Sequence, residues 1–190
     1  MNCVDILLLI FIVIFLLQQI FPIIEYLFTL IPKRTIFEPW RIFTSIFLHA
    51  DLLHLFYNSW AFYIFGKELE KRVGSKKFLI IFLLSGIFSS FFYFILAYFI
   101  DPETPALGAS GAIYGIIGSL AIISPTLYVI VYFIPVPLLF FALFYALFEF
   151  IGTVLFLFGV KSSIAYAAHF AGIIIGFLLG KREKELRFEE

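Results

Sequence analysis

Cysteine is almost missing from this chain: Cys3 is the single copy in 190 residues, so no internal disulfide can form. It lies near the N-terminus, far along the chain from any candidate ligand cluster, and reads as inert. Charge is scarce as well. Only 14% of residues are Asp, Glu, Lys or Arg and 63% are hydrophobic, against roughly 25% and 45–50% in an ordinary soluble domain. A mean hydropathy of +1.10 leaves too few polar side chains to clothe a water-facing surface, which excludes a soluble fold. Neither sign prevails: thirteen basic and thirteen acidic residues give a formal net charge of zero, so nothing favours a nucleic-acid partner. The first apolar run also lacks a basic leader and a small-residue cleavage site, and no Arg- and Ser-rich transit sequence is apparent. That run is expected to stay as a permanent span.

What the chain has instead is long apolar runs. A helix needs about 20 apolar residues to cross a bilayer core roughly 30 Å thick, and that length divides the sequence into six segments. They cover approximately 6–24, 46–65, 78–100, 110–123, 137–158 and 163–180, with 181–190 left as a solvated cytoplasmic tail. Pro125, Pro135 and Pro137 mark a turn and extended stretch between the fourth and fifth, because proline lacks the amide hydrogen a helix interior requires. Basic residues flanking spans stay preferentially cytoplasmic. Nine of them (Lys67, Lys71, Arg72, Lys76, Lys77, Lys181, Arg182, Lys184 and Arg187) fall on one side, and four (Lys33, Arg34, Arg41 and Lys161) fall on the other. The expectation is an all-α, six-span membrane bundle forming one domain, with both termini in the cytoplasm.

All three histidines, His49, His54 and His169, then fall in the outward halves of spans two and six. Ionisable groups at membrane depth are costly and usually face a bundle interior or a wet cavity, so their convergence points to a site. His54 and Asn58 stand four residues apart on one helical stripe and present two donors to a common point. A second cluster, Gly108-Ala109-Ser110-Gly111 followed by Tyr114, opens the fourth span. That span holds 14 residues, which at 1.5 Å per residue is roughly 21 Å, so it should begin below the membrane surface. The loop 101–107 before it must then dip inward, where protein or a wet cavity has to satisfy its backbone.

A serine at a helix start has free amides beside it, able to stabilise an oxyanion. Its base would be His169, because glycines at four-residue spacing let helices approach closely in lipid. Span six carries Gly172, Gly176 and Gly180, and span four carries Gly111 and Gly115 with Gly118 continuing the face. Packing these two spans would carry His169 toward Ser110.

Assembled in this order, the residues resemble the rhomboid family of intramembrane serine proteases over nearly the whole chain. The glycine-x-serine-glycine signature stands at 108–111 with its tyrosine at Tyr114, and the histidine–histidine–asparagine signature at His49, His54 and Asn58. The tryptophan–arginine pair of the first outward loop is Trp40-Arg41, and the last-span histidine is His169 followed by Gly172. The resemblance implies Ser110 as nucleophile, His169 as general base, and His54 with Asn58 as oxyanion donors. It further implies Tyr114 stacked on His169, His49 supporting the loop, and Trp40-Arg41 anchoring it. Substrates would be single-span membrane proteins cut near the outer boundary of a cell membrane, with the lipid bilayer as the other partner. Neither metal nor cofactor is implied. With no evident carboxylate counterpart, a dyad is expected.

Plainer readings stand beside these. Ser110 alone reads as a helix N-cap, Gly111 and Gly115 as packing, Tyr114 as a bundle wall, and His54 with Asn58 as an interhelical hydrogen-bonding pair. His49 reads as an interfacial side chain. Asp51, three residues before His54, fits a helix first turn, and Glu149 is an isolated acid inside span five with at most a hydrogen-bonding role. The aromatic bulk of span five suggests a lateral gate against span two. A transporter or proton- or metal-conducting protein is the alternative class, opposed by the lack of an inverted repeat and of zinc-ligand spacing. A non-catalytic rhomboid-like binding protein is another, disfavoured because both Ser110 and His169 are present.

Overall fold

The first apolar run becomes α1 (Cys3–Ile20) in the computed structural model, which describes residues 2–160, 162 and 164–186. A helix start leaves amides without acceptors. Here the Asn2 side chain accepts from the Asp5 amide at 3.1 Å, and the Glu70 carboxylate accepts from the amides of Cys3 and Val4 at 2.7 and 3.1 Å. The helix ends at Ile20 rather than Ile24, because the residue before Pro22 is pushed toward extended backbone, and Phe21 adopts φ −125°. The chain then folds a loop layer from α2 (Ile23–Phe28), α3 (Pro32–Thr35), α4 (Arg41–Thr44) and a 3-10 turn over Ser45–Phe47.

The helix expected from residue 46 starts later, as α5 (Leu52–Val73), and runs further. Asp51 sets that start by accepting the His54 amide at 2.7 Å, so 48–51 is non-helical and His49 belongs to the loop. Gly74, at φ +80°, reverses the chain into α6 (Ser75–Ile100). After the loop 101–109 comes α7 (Ser110–Ile123). The proline-marked stretch forms an antiparallel hairpin of β1 (Tyr128–Val131) and β2 (Ile134–Pro137), with Tyr128 opposite Pro137. Tyr132 and Phe133 make its two-residue turn at positive φ, the geometry such short hairpins demand. This hairpin is a small addition to a mostly helical fold. The chain finishes with α8 (Leu138–Leu157) and α9 (Tyr166–Leu186). Ser163, where the sixth span was expected to begin, lies outside the described residues, as do Lys161, Arg187 and the tail end 187–190.

Helices α1, α6 and α8 are each long and apolar enough to cross a membrane, and α7 is a shorter apolar helix. The long helices α5 and α9 end in charged turns, Lys67 to Arg72 and Lys181 to Glu185. α7 is the most enclosed: Ala112, Ile116 and Leu120 have no exposure at all, whereas Phe140 and Phe144 of α8 point outward.

Two faces of α7 explain its central place. On one, Gly172, Gly176 and Gly180 of α9 lie against the carbonyls of Gly111, Gly115 and Ser119, so the two backbones touch without side chains between them. On the other, Gly111 and Gly115 leave room for Ser89 and Ser85 of α6. The glycine pattern in span four therefore serves α6 as well as α9.

Candidate active site

Ser110 is positioned by the loop that precedes it. Irregular backbone inside a membrane protein needs internal partners. Leu30 and Ala106 exchange both main-chain hydrogen bonds, at 3.2 and 2.9 Å, the Lys33 amide donates to Pro102 at 2.9 Å, and the Gly108 amide donates to Ser45 at 2.9 Å. Gly108 then turns the chain into α7 at φ +119°, a conformation side chains rarely adopt. As the first helical residue, Ser110 has its own amide and its neighbours' amides free of helical acceptors.

The close packing of α7 on α9 brings His169 to this helix start. Its Nε2 lies 2.8 Å from the Ser110 hydroxyl across a sequence separation of 59 residues. The Tyr114 ring, one turn further along α7, stacks on the imidazole with centroids 4.7 Å apart and planes inclined by 22°. The expectation that no carboxylate stands behind the imidazole does not hold. Glu149 of α8, 2% exposed, puts Oε2 3.2 Å from His169 Nδ1 while Oε1 accepts from the Tyr114 hydroxyl at 2.7 Å. Sequence reading noticed Glu149 as an acid inside an apolar run, but its partners lie 20 and 35 residues away and only folding reveals them.

His54 faces the same loop: a Cβ at Gly108 would sit 2.7 Å from His54 Cε1 and 2.8 Å from Nε2. The Ala50 amide donates to His54 Nδ1 at 3.3 Å, so a neutral ring carries its proton on Nε2, the nitrogen beside Gly108. Asn58 Nδ2 donates to the His54 carbonyl at 2.9 Å, which leaves its second amide hydrogen for another acceptor. Asn58 and Ser110 share a cavity of about 340 Å³ between α5 and α8, walled by Tyr57, Trp60, Phe65, Phe141 and Tyr145. Another cavity, about 330 Å³, lies between α6 and α9 near Lys76 and Arg182 and shares no residue with it.

His49 is fully buried in the protein. Its ring packs on Phe11 at 5.4 Å and on His54 at 5.3 Å. Gln18, which sequence reading passed over, exchanges both amide hydrogen bonds with the His49 backbone at 3.1 Å each. The signal was present as a polar residue inside the first apolar run. In the loop layer, the fully buried Arg41 reaches the Thr29 carbonyl at 2.6 Å and pairs with Glu38. Trp40 is half-exposed and its indole donates to the Leu27 carbonyl at 3.3 Å.

Residues 37–183 match the family model of the rhomboid domain. The chain belongs to the rhomboid family. It is 41% identical over 83 residues to the rhomboid protease GluP of Bacillus subtilis, which covers 44% of this chain and 15% of that protein. It is 39% identical over 90 residues to the rhomboid-like protease 3 of Toxoplasma gondii, 47% of this chain and 33% of the relative. Identity with the rhomboid protease GlpG of Salmonella newport is 35% over 82 residues, 43% of this chain and 28% of that one. The matched stretch thus spans a third or less of each of these rhomboid relatives. Rhomboid membership and the apolar helices together make the chain an integral membrane protein.

Proposed function

We propose that the chain is an intramembrane serine endopeptidase that cuts single-span membrane proteins near the outer boundary of a cell membrane. The observation that carries this reading is the 2.8 Å contact between the Ser110 hydroxyl and His169 Nε2, at a helix start inside an apolar bundle. The reading includes six membrane-crossing helices, α1 and α5 to α9, with both termini cytoplasmic, as the distribution of basic residues favours.

In this mechanism Ser110 Oγ attacks the scissile carbonyl carbon while its proton passes to His169 Nε2. The carbonyl oxygen becomes an oxyanion. Donors for it are the amides at the start of α7, the second Asn58 amide hydrogen and the Nε2–H of His54. The imidazolium then gives its proton to the leaving amine as the C–N bond breaks. Water, deprotonated by the same imidazole, releases the acyl group and restores Ser110. Substrate enters beside the cavity between α5 and α8, and its cut segment must unwind, which favours Gly or Pro near the bond. Neither metal nor cofactor takes part in these steps.

The test is cleavage of a single-span reporter by purified protein in lipid, comparing wild type with Ser110→Ala and His169→Ala. Loss of cleavage in both variants is expected. Full cleavage by Ser110→Ala would overturn the reading, and a wild type that neither cuts a reporter panel nor labels with a fluorophosphonate would favour a non-catalytic binding role.

A further inference from the structure

A serine–histidine pair by itself leaves one nitrogen of the imidazole unspecified. A neutral ring has two tautomers, and only the one with its proton on Nδ1 presents a lone pair on Nε2 to accept from Ser110. The partner at Nδ1 therefore decides whether the base is ready.

That partner is Glu149, and we propose that it is a positioning residue that completes a Ser110–His169–Glu149 relay across α7, α9 and α8. This inference rests on the protease reading above. Oε2 lies 3.2 Å from Nδ1, on the side of the ring opposite the Ser110 contact at 2.8 Å. The carboxyl is not free to turn away, because Oε1 holds the Tyr114 hydroxyl at 2.7 Å, and the same tyrosine ring covers the imidazole face. Tyr114 thus aligns the two groups it touches.

Burial sharpens the inference. A carboxylate inside a bilayer-embedded bundle is expensive unless paired and hydrogen-bonded, and at 2% exposure Glu149 has two donors for its two oxygens. A purely structural role would be met by any donor; this one is the catalytic ring. During attack the serine proton moves to Nε2 as the Oγ–C bond forms, the Nδ1 proton stays on the ring, and the resulting imidazolium lies against the carboxylate. Glu149 neither gains nor loses a proton. Its contribution is the correct tautomer before the step and a compensating charge during it.

The test is Glu149→Gln, which keeps the length of the side chain and can still accept from Tyr114, but whose amide donates to Nδ1 and favours the wrong tautomer. On the single-span reporter, kcat should fall about 100-fold or more with KM changed less than about 2-fold. The fluorophosphonate labelling rate of Ser110 in membranes should fall in parallel. Tyr114→Phe should lose about 3- to 10-fold, since it frees Oε1 while sparing the Nδ1 bond. Nitrogen-15 spectra of histidine-labelled wild type, with His169 assigned by its loss in His169→Ala, should show Nδ1 protonated.

Wild-type kcat in Glu149→Gln, alongside an inactive Ser110→Ala, would overturn the relay and leave the protease reading standing. An active Ser110→Ala would overturn that reading instead. Should Glu149→Gln fail to accumulate, the wild-type spectrum still decides, because a proton on Nε2 of His169 refutes the proposal.

Discussion

Gly172 tests whether helix contact, rather than side-chain chemistry alone, sets the distance between the Ser110 hydroxyl and the His169 imidazole. It lies one turn after His169 on α9, opposite the residue that follows Ser110 on α7. A methyl group at this position would sit 2.1 Å from the Gly111 carbonyl oxygen, 2.9 Å from its carbon and 3.2 Å from its Cα. All three are backbone atoms and have no rotamer to adopt, so α7 and α9 must part. Restoring an ordinary contact of about 3.5 Å needs a shift on the order of 1 Å. Added to a Ser110–His169 separation of 2.8 Å, that carries the pair past hydrogen-bonding reach.

Gly172→Ala should therefore lower reporter cleavage about 100-fold, the usual consequence of a 1 Å misplacement, while overpacking destabilises the fold by only about 1–3 kcal/mol. Gly180→Ala is the control. It meets the Ser119 carbonyl oxygen at 2.6 Å, but three turns from His169 along α9. It should lower thermal stability comparably with a much smaller effect on cleavage. Fluorophosphonate labelling and thermal melting in the same detergent read both quantities. Undiminished cleavage by Gly172→Ala, or equal losses in the two variants, would refute the reasoning.

Other outcomes follow from single contacts. Gly108→Ala places a methyl 2.7 Å from His54 Cε1 in a backbone conformation that disfavours side chains, so on the proposed mechanism kcat should fall on the order of 10- to 100-fold as the His54 ring shifts, read by reporter kinetics. At the charged end of α5, beyond its apolar stretch, burial pushes the Glu70 carboxyl up, but hydrogen bonds from Ser75 and the Val4 and Cys3 amides outweigh it and hold it below its ordinary 4.5. A depressed value means the contribution is present at neutral pH and fades as pH falls below about 4.5, so wild-type melting should drop there, whereas Glu70→Ala should already be lower by about 1–2 kcal/mol at pH 7. Phe65 and Phe141 stack across α5 and α8 at 6.2 Å. A cleavable thiol crosslinker joining Phe65→Cys and Phe141→Cys should block cleavage of a membrane reporter reversibly while sparing fluorophosphonate labelling; unchanged cleavage would remove α8 as a gate.

Much of the candidate site was legible because its chemistry is written in rare residues. Three histidines in an apolar chain, a serine at the head of a short span, and glycines at four-residue spacing are each conspicuous against a leucine- and phenylalanine-rich background. The helix over 110–123 was readable for the same reason: Gly108 breaks the chain before it and Ser124-Pro125 after it. Boundaries elsewhere slipped where a polar side chain captured a helix start, as Asp51 does for α5, or where a proline bent the chain early, as Pro22 does after α1. The hairpin at 128–137 was missed because its prolines argued against helix without specifying that the two extended arms would pair.

Composition and motif order by themselves determined a membrane protein with a glycine-framed serine and a histidine to meet it, since hydropathy and residue type are local properties of the chain. Which groups surround that histidine was decided only by the fold. Glu149 is ambiguous in sequence, and its hydrogen-bond partners His169 and Tyr114 lie 20 and 35 residues away. A hydrogen bond depends on atoms meeting within about 3 Å, and that distance is set by how α7, α8 and α9 pack, not by any residue alone.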